Sequence, residues 1–147
     1  GRVLLDGADV TRLPPEKRCR LGLARSYQIP QPFGGMTVFE NLVVAATFGG
    51  GKRERDTYAG AARVLERCGL ADKANRLAGS LTLLDRKRLE LARALATSPR
   101  VLLLDEVAGG LTEHECAALV VLTRPFVRRA IEGARYVHTS HDPPRHR

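Results

Sequence analysis

Between Thr57 and Cys68 the apolar positions Ala61, Val64, Leu65 and Cys68 recur at i, i+3, i+4 and i+7, the spacing of one buried helical face, and Gly69 follows as a stop. The same reasoning predicts other helices. Thr37 precedes VFENLVVAA with Glu40 at the capping-box position. Thr82 heads a segment that runs to about Thr97, where Ser98-Pro99 ends it. Pro14-Pro15 starts a short helix through Arg20. Between these lie short extended runs. Val3 to Leu5 with Asp6-Gly7 reads as the edge of a hairpin, and Leu21 to Gln28 alternates as a strand. VLLL at 101–104 reads as a fully buried strand. IPQPFGG after Gln28 and FGGGKRERD from Phe48 read as loops. Near the end, Cys116, Leu119, Val120 and Thr123 form one face of a helix that Pro125 bends or ends, and ARYVHTS (134–140) reads as a strand reaching His141.

Buried strands alternating with helices predict an α/β protein with a parallel sheet. Ligands of such sheets bind beyond the carboxyl ends of the strands. Gln28, the Asp105-Glu106 pair and His141 all fall at predicted strand ends. Adjacent carboxylates at the end of an apolar strand repel each other and are costly to desolvate, so they call for a cation, a polar ligand or water. VLLLDE therefore has the form of a Walker B strand, whose first carboxylate holds phosphate-bound Mg2+ and whose second polarises a water. A strand capped by two surface acids before a turn has the same sequence.

Composition narrows the partners. The chain has 147 residues, about one domain, with 44% hydrophobic and 27% charged residues. No apolar run approaches the ~20 residues of a membrane span. The three cysteines are far apart in sequence and form neither a disulfide framework nor a CxxC site, which fits a reducing cytosol. A net charge of +8, from 24 Lys and Arg against 16 Asp and Glu, favours an anionic partner. Aromatics make up 5% of the residues and are not interleaved with basic runs, so a stacking platform for nucleic acid is poorly supported.

Taken in order, the motifs resemble the nucleotide-binding subunit of an ABC transporter, most of all the branched-chain amino acid uptake branch. GLARSYQ resembles the Q-loop strand, MTVFENLVVA the start of the helical subdomain and LERCGLADKA its middle. RKRLELARALATSPRVLLLDE resembles the signature helix running into Walker B, AGGLTEHE the D-loop and SHD the H-switch. The resemblance covers nearly the whole chain. It implies a P-loop NTPase-like parallel core with an inserted α-helical subdomain and the edge of an antiparallel β-subdomain. Residues 1–28 would end the β-subdomain and form the Q-loop strand, 29–85 the helical subdomain with signature, and 86–147 the Walker B, D-loop and H-switch core.

The resemblance also implies roles. Gln28 would sense Mg2+ and the attacking water and link the site to the transmembrane subunit. Asp105 would hold Mg2+, Glu106 would be the general base, and His141 would contact the γ-phosphate. Leu81, Thr82, Leu83, Leu84 and Asp85 stand at the signature, which faces the ATP bound by the opposite subunit of a dimer. The implied partners are a second ATPase subunit, membrane permease subunits and, indirectly, a solute-binding protein, at the cytoplasmic face of the plasma membrane. The solute would be a branched-chain or other hydrophobic amino acid, or urea or a short amide.

Departures from the pattern set further expectations. No Walker A motif occurs: at GGGKRE the required first Gly falls on Ala46, and Arg53 stands where Ser or Thr binds Mg2+. In the family the P-loop lies upstream of a point like Gly1, so the chain reads as partial and is not expected to hydrolyse ATP by itself. In place of Leu-Ser-Gly-Gly-Gln it has Leu81 to Asp85, with bulk at Leu83 and Leu84 and an added anion at Asp85. Val107 stands where a proline usually follows the glutamate, and Thr112 replaces the D-loop aspartate. The alternatives are a soluble ABC ATPase and a non-catalytic remnant that only interacts.

Overall fold

The fold was analysed in a computed structural model, which describes residues 1–26, 29–104, 112–115, 117 and 121. The predicted helix around Cys116 to Thr123 falls largely outside these residues, and the predicted strand at 134–140 wholly so. Strands β1 (Leu4–Leu5) and β2 (Ala8–Asp9) form the expected antiparallel hairpin. Its turn residues Asp6 and Gly7 both have positive φ, 48° and 82°, the twist that a two-residue hairpin loop requires. Helix α1 (Pro15–Arg20) follows, with Pro15 in its first turn, where a missing N–H costs nothing.

Strand β3 spans Leu23–Arg25, shorter than the Leu21 to Gln28 that alternation predicts. Leu21 instead caps α1, and Gly22 has φ +97°. A side chain at Gly22 is excluded twice over, because a Cβ there would lie 2.8 Å from Arg100 Cγ. The Arg100 and Val101 N–H groups both donate to the Gly22 carbonyl, at 2.8 and 3.0 Å. They start β4 (Val101–Leu103), which pairs with β3 in parallel, Leu23 opposite Val101 and Arg25 opposite Leu103. The Arg100 guanidinium also pairs with the Asp6 carboxylate, tying the hairpin to the start of β4. The expectation that 101–104 is fully buried is corrected: Leu103 is 43% exposed and Val101, Leu102 and Leu104 are half-buried. Apolar content gave that expectation, but burial on both faces needs cover on both, and β4 has one partner strand among the described residues.

Between the parallel strands lies the helical insert. Helix α2 (Val38–Val44) begins at the predicted capping box: Glu40 N–H donates to Thr37 Oγ1 at 3.1 Å, and Thr37 N–H donates to Glu40 Oε2 at 2.7 Å. The helix does not give way to a loop at Phe48 but widens into a π turn over Ala45–Gly49, followed by a 3₁₀ turn at Glu54–Asp56. Helix α3 (Tyr58–Arg67) and helix α4 (Leu83–Ala96) complete the insert, joined by 3₁₀ turns at Ala71–Lys73 and Ala78–Ser80. The buried residues keep helical spacing: Val38, Leu42 and Ala46; Ala61, Leu65 and Cys68; Leu89, Ala92 and Ala96. Each large side chain so buried contributes about 1.5–3 kcal/mol. Cys68 lies fully inside this core, and burial pushes its thiol pKa up to about 12, so it is a packing residue without nucleophilic character.

Leu42→Ala should destabilise the chain by about 2–5 kcal/mol in urea unfolding, because its site is closed on all sides. The Thr37 backbone N–H, then its hydroxyl, hold the Glu40 carboxyl below its ordinary pKa. The folded chain therefore binds fewer protons than the unfolded one between those two values. The contribution is complete above the ordinary carboxylate range and is lost as pH falls through the lowered value. Glu40→Gln should remove that acid dependence, with little change in melting temperature remaining at the lowest pH.

Candidate functional site

The parallel register sets the edge at which chemistry can be placed. Ser26 N–H donates to the Leu103 carbonyl at 2.9 Å, so β3 and β4 leave the sheet side by side. Ser26 is 3% exposed, and its hydroxyl has no hydrogen-bond partner among the described residues. Gln28 follows Ser26 by two positions in sequence, and Asp105 and Glu106 follow Leu104 directly. Gln28, Asp105, Glu106 and His141 themselves lie outside the described residues. Among the described residues no cluster of His, Cys, Asp or Glu could hold a metal ion.

The stretch Leu81–Asp85 is fully described, and it forms the N-terminus of α4. Thr82 is the N-cap: its backbone is extended at φ −63°, ψ 165°, and Oγ1 accepts from the Asp85 N–H at 3.2 Å. Leu81 is buried in the helical core, whereas Leu83 is 47% exposed. Asp85 is the departure whose placement matters most. Its side chain is 8% exposed and turned into the helical insert, where Lys73 Nζ donates to Oδ2 at 2.9 Å. Arg88, one turn on, contacts Oδ1 at 3.5 Å. The anion is thus neutralised by two cations on the inner side of α4 and does not stand at the exposed helix end. The orphan N–H groups and positive dipole end of α4 keep their character there.

The chain leading into Thr82 is fixed from α4 itself. Arg86 Nε donates to the Leu81 carbonyl at 3.0 Å and one terminal nitrogen donates to the Gly79 carbonyl at 2.9 Å. Gly79 in turn donates its N–H to the Gly34 carbonyl at 3.1 Å, and a Cβ on Gly79 would come within 3.1 Å of that same oxygen. A side chain at 79 would therefore be tight against the 34–79 backbone contact, and residue 34 would have to give by a few tenths of an ångström. At the far side of the described chain, Thr112 N–H donates to Glu115 Oε2 at 2.9 Å and Glu115 N–H donates to Thr112 Oγ1 at 3.3 Å. This reciprocal pair makes Thr112 an N-cap, so the hydroxyl performs the capping that an aspartate would.

Two further residues were not singled out by the sequence. Asn41, fully buried, accepts the Phe33 N–H on Oδ1 at 2.9 Å and returns a hydrogen bond from Nδ2 to the Phe33 carbonyl at 3.1 Å. Arg93 of α4 donates to the Gln31 carbonyl at 3.0 Å and lies over the Phe33 ring, 5.1 Å from its centroid. A signal for Asn41 existed: it is a polar residue on the α2 face that Val38 and Leu42 bury, and a buried amide needs partners.

Comparison with known proteins agrees with this geometry. The family model for ABC transporters matches residues 1–109. The high-affinity branched-chain amino acid transport ATP-binding protein BraF of Pseudomonas aeruginosa is 38% identical over 136 residues, 83% of this chain and 53% of that protein. The corresponding protein LivG of Escherichia coli K12 is 37% identical over 133 residues, 81% of this chain and 52% of LivG. A nucleotide-free ATP-binding cassette from an ABC transporter superposes with a TM-score of 0.74 at 26% identity, covering 91% of this chain and 56% of the cassette. The chain belongs to the ABC transporter family and has the fold of its ATP-binding cassettes. It spans about half the length of the curated relatives it matches. No helix among the described residues is long and apolar enough to cross a membrane.

Asp85→Ala would leave Lys73 and Arg88 facing each other across a buried site. It should destabilise the protein by about 2–4 kcal/mol in chemical unfolding. Asp85→Ala combined with Lys73→Met should recover part of that loss. Additive losses would show that the pair is not coupled.

Proposed function

We propose that this chain serves in the ATP-binding, ATP-hydrolysing subunit of an ABC importer for branched-chain or other hydrophobic amino acids. The observation that carries the reading is the likeness to BraF and LivG, proteins of branched-chain amino acid transport, over more than four fifths of this chain. ATP is the substrate. The donor set at Asp105 and Gln28, a carboxylate and an amide oxygen, consists of the hard oxygen ligands that Mg2+ prefers. When bound, Mg2+ neutralises charge on the phosphates.

The chain's own residues supply the rest. Glu106 takes the proton of a water whose oxygen attacks the γ-phosphorus, and ADP departs. Gln28 orients that water, and His141 donates to the γ-phosphate. The exposed N-terminus of α4, with Thr82 as its cap, meets the ATP of the opposite subunit through backbone N–H groups. The inward turn of Asp85 supports this role, since an exposed carboxylate there would repel phosphate. Leu83 and Leu84 keep their backbone donors but add bulk, which sets the approach distance. The partners are a second ATPase subunit, permease subunits that receive the motion near Gln28 to Asn41, and through them a solute-binding protein. The subunit works peripherally at the cytoplasmic face of the membrane.

In the complete protein, Glu106→Gln should keep ATP affinity within a few-fold and slow turnover by about 10²–10⁴, the share of a positioned general base. The check is single-turnover hydrolysis beside equilibrium nucleotide binding. Turnover at the unmutated rate would remove Glu106 from the base role.

A further inference from the structure

The segment just after Gln28 is gripped from two helices. Asn41, on α2, brackets the Phe33 backbone with a donor and an acceptor from one buried amide, and its Nδ2 also reaches the Thr37 carbonyl at 2.9 Å. Arg93, on α4, grips the same segment from the other side. Its guanidinium donates to the Gln31 carbonyl, covers the Phe33 ring and is oriented by Glu90 Oε2 at 3.0 Å. The Arg93 and Glu90 side chains are 20% and 10% exposed, whereas Phe33 is 46% exposed, so the grip runs from a largely buried ion pair to a surface segment. A charge-assisted hydrogen bond is stronger than a neutral one, and the cation–π contact adds to it. From Phe33 the contacts continue: Met36 N–H donates to the Phe33 carbonyl, Ala78 N–H to the Met36 carbonyl, and Gly79 N–H to the Gly34 carbonyl. Residues 31–36 are therefore bound to α2, to α4 and to the turn that enters Thr82, while β3 on the other side of Gln28 is bound to β4.

We infer that Arg93 and Asn41 are positioning residues that fasten the 31–36 segment, Arg93 to the signature helix and Asn41 to α2, so that a nucleotide-driven shift of the N-terminus of α4 is carried to the segment following Gln28. The inference rests on the ATP-binding reading for its nucleotide-driven part; the fastening itself is a matter of geometry. Arg93 lies three turns along α4 from Thr82 and touches no nucleotide. It acts through the segment it holds, and a rigid helix between the two positions is the link. Lysine at 93 keeps a positive charge but lacks the planar fork that donates to a carbonyl while lying over a ring.

Amide hydrogen exchange on the complete protein, without nucleotide and with Mg-ATP, tests both parts. Without nucleotide, Arg93→Lys should speed exchange of the Phe33 and Met36 amides about tenfold, with Leu65 and Leu89 in α3 and α4 unchanged. With Mg-ATP, the unmutated protein should alter exchange at both Asp85–Arg86 and Phe33–Met36, and the variant at Asp85–Arg86 alone. A variant whose Phe33 and Met36 amides exchange and respond as in the unmutated protein overturns the inference. If Arg93→Lys speeds exchange throughout α3 and α4 as well, Phe33→Leu, which removes the ring face and leaves the backbone bonds, should still speed the same two amides severalfold; no change there overturns the inference. Failure of the ATP-binding reading shows separately, as an unmutated protein with no response to Mg-ATP at any amide. That result removes the nucleotide-driven part, and the nucleotide-free comparison then decides the fastening.

Discussion

The structure depends on the burial of one face of α4. Asp85, Leu89, Ala92 and Ala96 line that face, and they pack against α2 and α3 in the core of the helical insert. The same helix begins at the capped stretch Leu81–Asp85 and ends four residues before β4, the strand that runs toward Asp105 and Glu106. A shift or rotation of α4 would therefore be felt at once at the Leu81–Asp85 stretch, in the insert and at the sheet. Burial of Leu89 and Leu65 supplies the energy that fixes the helix in place. The Asp85 ion cluster fixes its rotation, since only one setting of the helix directs that carboxylate toward Lys73.

The physical character of the signature end follows from that rotation. A carboxylate in the first turn of a helix ordinarily stabilises it and, if exposed, repels an anionic ligand. Here the first effect is kept and the second is removed by direction alone. Thr82 and Leu83 are exposed at this end, and Asp85 is buried. The inward direction of Asp85 comes from its neighbours Lys73 and Arg88.

Much of the local structure was legible because its causes are local. The caps at Thr37 and Thr82, the end of α4 at Ser98-Pro99 and the face Ala61, Leu65, Cys68 all depend on residues within two turns of one another. Strand length was overestimated because Leu21 serves as the C-cap of α1 and Gly22 takes a positive φ directly after it. Burial of 101–104 was overestimated because composition says that a strand prefers cover and does not say what covers it. Asp85 was expected to offer an anion at the signature, since the partner that turns it inward, Lys73, sits on a separate turn twelve positions earlier. The Arg93 grip was illegible for the same reason: Arg93 reaches back sixty-two positions to Gln31. The motif residues Gln28, Asp105, Glu106 and His141 lie outside the described residues.

The measurement that bears most directly on this account is calorimetric titration of the complete protein with ATP, with and without Mg2+. The account predicts saturable binding of one nucleotide per subunit, strengthened by Mg2+. A folded protein that takes up no ATP at millimolar concentration, with Mg2+ present, would contradict it.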